Sequence, residues 1–221
     1  MDKESYIKFI IQLEIDFNEN IYNIGGNSIL DKYNIADLFK KSYDKSTSLL
    51  LDLIYYGKLS YENILIREAD RLIKEGVTID PQHELATIAL LILCLFKGPL
   101  LKSLKYIQFL INNGVNVDCK YKNGWTPLMI ASFGGHIKTI ELLIKNGTNV
   151  NYRDEKGRTP LMLASRNGRY ISAKILLENG ADVNATEING LTALDITFNE
   201  KVHDVLKKFG GKSGKDIINS D

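Results

Sequence analysis

Near the C-terminus, Gly210-Gly211-Lys212-Ser213 carries the Gly-Lys-Ser end of a phosphate-cradling loop, in which backbone amides and the lysine would hold a nucleotide's phosphates. That chemistry needs another glycine five residues before the second one, where Leu206 stands, and a preceding strand where the pattern is helical. Nucleotide binding is therefore not expected there. The three histidines, His83, His136 and His203, are far apart and lack metal-ligand spacing. Cys94 lies in an apolar helical run that disfavours a thiolate, and Cys119, expected near a more exposed loop, has no histidine beside it. No G-x-S-x-G elbow is present. The chain reads as a non-enzyme: no catalytic residue, no metal site and no cofactor are assigned.

Composition bounds what remains. The chain has 221 residues, 44% of them hydrophobic and 25% charged, enough for a sizeable apolar interior. Its net charge of +1 hides an asymmetry: residues 1–80 carry 10 basic and 14 acidic side chains, whereas 81–221 carry 18 and 13. Two cysteines without C-x-x-C spacing suggest neither a disulfide framework nor a thiolate metal site, and so a reducing, cytoplasmic setting. The N-terminus shows no leader pattern, and the longest apolar run, Leu85–Phe96, is too short to cross a bilayer. A secreted effector that lacks a leader peptide is still compatible with the sequence.

The elements that would position any function come from an internal repeat. Asn123-Gly124-Trp125-Thr126-Pro127-Leu128-Met129-Ile130-Ala131-Ser132 returns as Lys156-Gly157-Arg158-Thr159-Pro160-Leu161-Met162-Leu163-Ala164-Ser165, and a third copy begins at Asn189. Thr126, Thr159 and Thr192 stand 33 residues apart, as do Gly114, Gly147 and Gly180, a period that marks a stacked-repeat protein. Each unit predicts an inner helix capped by threonine and opened by proline, a glycine turn, an outer helix ended by glycine, and a projecting hairpin.

The expected boundaries are an N-terminal helical cap over 1–45, degenerate units at 46–80 and 81–118, and regular units at 119–151 and 152–184. A truncated unit, 185–211, follows with Ile196 and Phe198 facing inward, and then a frayed tail over 212–221. The fold class is thus an all-α solenoid of helix pairs with β-hairpin loops.

The wording Asn123-Gly124-Trp125-Thr126-Pro127-Leu128, with Ala131, Gly135-His136, Leu142-Leu143, Asn146-Gly147 and Asn149-Val150-Asn151, resembles the ankyrin repeat, whose signature includes T-P-L-H-x-A. The resemblance covers about 114–198 clearly, 46–113 weakly, and nothing before 45. It departs at the family's histidine, which is Met129 and Met162 here, so that the hydrogen bonds of an imidazole must be lost or replaced.

The resemblance implies a non-catalytic scaffold that binds another protein through hairpin tips and the exposed side of the inner helices. On this sequence those positions include Lys120, Lys122, Asn123, Trp125, Phe133, Arg153, Glu155, Lys156, Arg158, Arg166, Asn167 and Leu191. From Lys120 to Arg169 nine basic residues face three acidic ones, which points to a partner with an acidic patch. The expected mode is occlusion or tethering, as an inhibitor, an immunity-type protein or an adaptor, by a chain that is monomeric when free and has no membrane partner. The alternative is a nucleic-acid or nucleotide-binding module using Trp125 and the basic hairpins, which the modest net charge disfavours.

Overall fold

The computed structural model describes residues 71–82, 84–95, 100–121 and 124–218. The expected cap over 1–45 and most of the unit 46–80 lie outside the described residues. From residue 84 onward the chain runs as helix pairs: α1 (Glu84–Leu95) with α2 (Leu100–Asn112), α3 (Pro127–Gly134) with α4 (Ile137–Lys145), and α5 (Pro160–Arg166) with α6 (Tyr170–Glu178). Then come α7 (Ala193–Ile196) with α8 (Glu200–Lys208), and a final α9 (Gly214–Ile218). The inner helices α1, α3, α5 and α7 pack in chain order, and the outer helices α2, α4, α6 and α8 do likewise, so each pair packs chiefly on its neighbours.

Local chemistry explains the inner helices. Thr126 accepts from the Met129 amide at 3.3 Å and Thr159 from the Met162 amide at 3.3 Å, while Pro127 and Pro160 occupy the first helical position, where no N–H is needed. Leu128, Met129, Ile130 and Ala131 are buried, as are Leu161, Met162, Leu163 and Ala164, because each inner helix is sandwiched between two others. Gly135 turns the chain at φ +77, and a Cβ there would meet the Arg169 side chain at 2.9 Å. His136, at that turn, reaches back one unit: its Nε2 lies 3.0 Å from the carbonyl oxygen of Leu95.

The methionines in place of histidine are wholly buried and put no polar atom into the seam. Beside them the hydroxyls of Ser132 and Ser165 are buried without a hydrogen-bond partner among the described residues. Cys119 is buried rather than loop-exposed; burial first, and the neighbouring Asp118 charge second, push its thiol up to about 12. Burial likewise raises the Cys94 thiol well above its usual range.

A second periodic device joins units through their outer turns. Asp118 accepts from the Asn149 amide at 3.0 Å, Asn151 from the Asp182 amide at 2.7 Å, and Asn184 from the Lys212 amide at 2.8 Å. Each unit thus lends one side chain to the backbone of the next.

Three expectations change. No strand forms among the described residues, so the projecting β-hairpins are tight turns without a ladder. The last inner helix, α7, has only four residues against eight in α3, and the chain at Thr197 is extended (φ −87, ψ 138). Phe198, expected inward, is consequently 94% exposed.

The described part of the tail, up to Ile218, is not frayed, since Gly214–Ile218 folds into α9. Asp195 accepts from the Thr192 amide at 2.9 Å, the Thr192 hydroxyl at 2.9 Å and the Gly214 amide at 2.7 Å, which latches the tail to the last inner helix. Burial works to raise the Asp195 pKa, but these hydrogen bonds together hold it below the ordinary aspartate value.

Candidate functional site

Three successive loops, each entering an inner helix, bring Lys120, Trp125, Arg153, Glu155, Lys156, Arg158 and Leu191 to one edge of the stack, whereas Phe133, Arg166 and Asn167 lie at the C-terminal ends of the inner helices α3 and α5. All three close with the same pair of backbone bonds. The Tyr121 amide donates to the Trp125 carbonyl at 2.9 Å and the Gly124 amide to the Tyr121 carbonyl at 2.8 Å. Asp154 with Arg158 and Gly157, then Glu187 with Leu191 and Gly190, repeat the pattern at 2.9–3.0 Å. Glycine is required at the third closing position: Gly124 has φ +74, and a Cβ there would lie 3.2 Å from the Glu155 amide nitrogen of the next loop.

The loops are cross-linked rather than merely adjacent. Trp125 Nε1 donates to Asp154 Oδ2 at 3.1 Å, across 29 residues of sequence. The same carboxylate accepts from the amides of Lys156 at 2.9 Å and Arg158 at 2.8 Å, and pairs with the Arg158 guanidinium at 2.6 Å. Arg158 lies over the Trp125 ring, 5.4 Å from its centroid, and the Phe133 ring is tilted against Trp125 with centroids 5.5 Å apart. Between the second and third loops, the Arg153 guanidinium donates to the Thr186 carbonyl and the Ile188 amide to the Lys156 carbonyl at 3.0 Å.

This geometry corrects the expected face. Trp125 is only 4% exposed, so it is a rivet between two loops and not an exposed anchor. Arg158 is also withdrawn, because the buried Asp154 carboxylate neutralises it. The Asn167 amide folds back onto the Leu163 carbonyl at 3.1 Å, and Phe133 is half-buried under Trp125 with its carbonyl accepting from Arg169 at 3.3 Å. Lys122 and Asn123 lie outside the described residues. Lys120, Arg153, Glu155, Lys156, Arg166 and Leu191 are exposed. Of these, Lys120 rests over the Tyr152 ring at 4.9 Å, whereas Lys156 and Arg166 form no ion pair among the described residues.

Sequence reasoning missed one feature. Asp154 reads as one more surface carboxylate, although its place two residues before Lys156 and three before Gly157 is the mark of a side chain that closes a turn on its own backbone. Its pairing with Trp125 has no local sign. Ile188, 74% exposed at the tip of the third loop, adds an apolar projection beside the 44% exposed Leu191.

Among the described residues no three of His, Cys, Asp and Glu converge on a metal-binding geometry. No helix among the described residues is long and apolar enough to cross a membrane. In comparison with known proteins, residues 90–187 match a family model described as ankyrin repeats, in three copies. No curated protein matches the chain at a significant level.

Proposed function

The chain is an ankyrin repeat protein over residues 90–187, a kind of module that generally binds other proteins, and from that premise we propose that it binds one protein partner with an acidic patch, acting by occlusion or tethering. The observation that carries this reading is the cross-linked row of loops. Trp125–Asp154, Arg153–Thr186 and Ile188–Lys156 hold the three turns in register, while Lys156, Arg166, Ile188 and Leu191 point to solvent.

A row already rigid in the free protein loses little conformational freedom on binding, which favours a partner recognised by shape and charge. The nine basic side chains between Lys120 and Arg169 against three acidic ones make the local field positive, and this would steer an acidic surface toward the loops. Apolar Ile188 and Leu191 stand at one end of that field as contact points. The chain-wide charge of only +1 and the burial of Trp125, the aromatic that would have to stack a base, support a protein partner over nucleic acid.

Recovery of partners from host extract on immobilised protein tests the reading. The pair Lys156→Glu and Arg166→Glu, both on exposed side chains, should release the specific partner at unchanged melting temperature. Undiminished capture by that double variant would show that the loop row is not the binding face.

A further inference from the structure

The outer helices α6 and α8 enclose an open groove of about 570 Å3, lined among others by Tyr170, Lys174, Lys201, Val205, Lys208 and Phe209. It shares no residue with the loop row. Comparing the three nine-residue outer helices shows that its lining departs from the repeat. The residue after the helix is Asn146 in α4 and Asn179 in α6, and each amide folds back on a carbonyl of its own last turn at 2.8 Å. After α8 the same place holds Phe209, which makes no such cap and leaves its ring 40% exposed. Across the groove Tyr170 is 37% exposed, and the next residue, Ile171, is 56% exposed where α4 has the charged Lys138.

Packing inside the stack does not require these changes, since the earlier units fold with polar groups at the same places. An uncovered aromatic that replaces a helix cap gives up the hydrogen bond at the helix end in exchange for contact area on a free surface. The charges define what would cover it. Lys174 is paired with Glu178 at 3.7 Å, whereas Lys201 and Lys208 form no ion pair among the described residues. Asp204 lies between them, 3.8 Å from His203, and interrupts the positive edge.

We infer that this groove is a second docking site, for an amphipathic helix of a partner protein whose apolar stripe covers Tyr170 and Phe209 above the buried Val205 and whose carboxylates meet Lys201 and Lys208. Two parallel nine-residue helices offer a trough about 14 Å long, room for two to three turns of such a helix, with apolar anchors three and four residues apart. Asp204 adds a requirement for one donor group between the partner's carboxylates. With the loop row at another part of the stack, the protein would carry two binding surfaces, the condition for an adaptor as opposed to a simple inhibitor.

The test places the photo-crosslinker p-benzoylphenylalanine at position 171 of the full chain in cells that make the protein, and sequences the crosslinked peptides. The expected product is a partner segment with two or more Asp or Glu residues flanking apolar residues at helical spacing. Its yield should fall about five-fold in a Lys201→Glu, Lys208→Glu background. Phe209→Asn, which restores the residue found in the two earlier units, should lower it further while the protein stays folded. Lys156→Glu with Arg166→Glu should not change it, which separates failure of this site from failure of the loop row. Crosslinks to a second copy, to the chain's own N-terminal residues, to a segment without acidic residues, or to nothing would each overturn the inference.

Discussion

The junction between the second and third loops and the junction between the first and second are built from the same backbone turns, yet they hold together differently. In the earlier one a buried carboxylate, an indole and a guanidinium interlock: Asp154 takes hydrogen bonds from Trp125 and Arg158 and closes its own turn as well. In the later one the corresponding residue, Glu187, caps only its own loop through the Asn189 amide at 2.9 Å, and one guanidinium–carbonyl bond with one amide–carbonyl bond spans the gap. The first junction is fixed by side chains that cannot be changed singly without leaving a buried polar group bare. The second is fixed by one arginine and one amide reaching backbone carbonyls, which leaves the side chains of Ile188 and Leu191 free to face solvent. Rigidity in one place thus coexists with exposed, variable contact residues in the other.

The sharpest way to break this contrast is Asp154→Ala. It strands the Trp125 N–H and the largely buried Arg158 charge together, so the expected loss is about 3–5 kcal/mol in urea unfolding. A loss under about 1 kcal/mol would mean that the earlier junction is no tighter than the later one. Trp125→Phe keeps the packing against Phe133 but removes the donor to Asp154, and it should cost about 1–2 kcal/mol by the same measurement. The same change at the exposed side, Ile188→Ala, should leave stability within about 0.5 kcal/mol.

The C-terminal latch sharpens the comparison through pH. Because hydrogen bonds to Asp195 hold its folded-state pKa below the usual 3.8, its contribution is present above that value and is lost as pH falls through the lower folded-state value. Limited proteolysis should therefore cut the tail near Lys212 more readily in strong acid than at neutral pH, before the regular units unfold. Asp195→Asn should make that cleavage fast at every pH, and a tail equally resistant with asparagine would show the latch to be idle. A small effect of opposite sign is expected in the seam: Ser165→Ala removes a buried hydroxyl without a partner among the described residues, so thermal unfolding should be unchanged or raised, by no more than about 1 kcal/mol of stability.

Repetition itself made most of the stack readable. Thr126-Pro127 and Thr159-Pro160 state where inner helices begin, and the glycines at 33-residue spacing state where outer helices end; both are decisions of local sterics and local hydrogen bonding. The shortened last unit was harder to read. From Thr192 to the outer-helix cap Asn199 it has too few residues for a full inner helix, so Phe198 moves from an expected inward place to the surface. The latch between Asp195 and Gly214 joins segments 19 residues apart, and no short-range pattern announces it.

For the candidate face, periodic position and composition set which residues enter the loops and make the local charge positive. Which of those residues are available depends on the packed stack. Trp125 and Arg158 are interface-type residues in any list, but Asp154 of the next unit draws both inward, because an indole N–H and a guanidinium find a better partner in a buried carboxylate than in water. Whether a side chain meets a partner or its own neighbour depends on what the following repeat places opposite it, and that is a property of the stack.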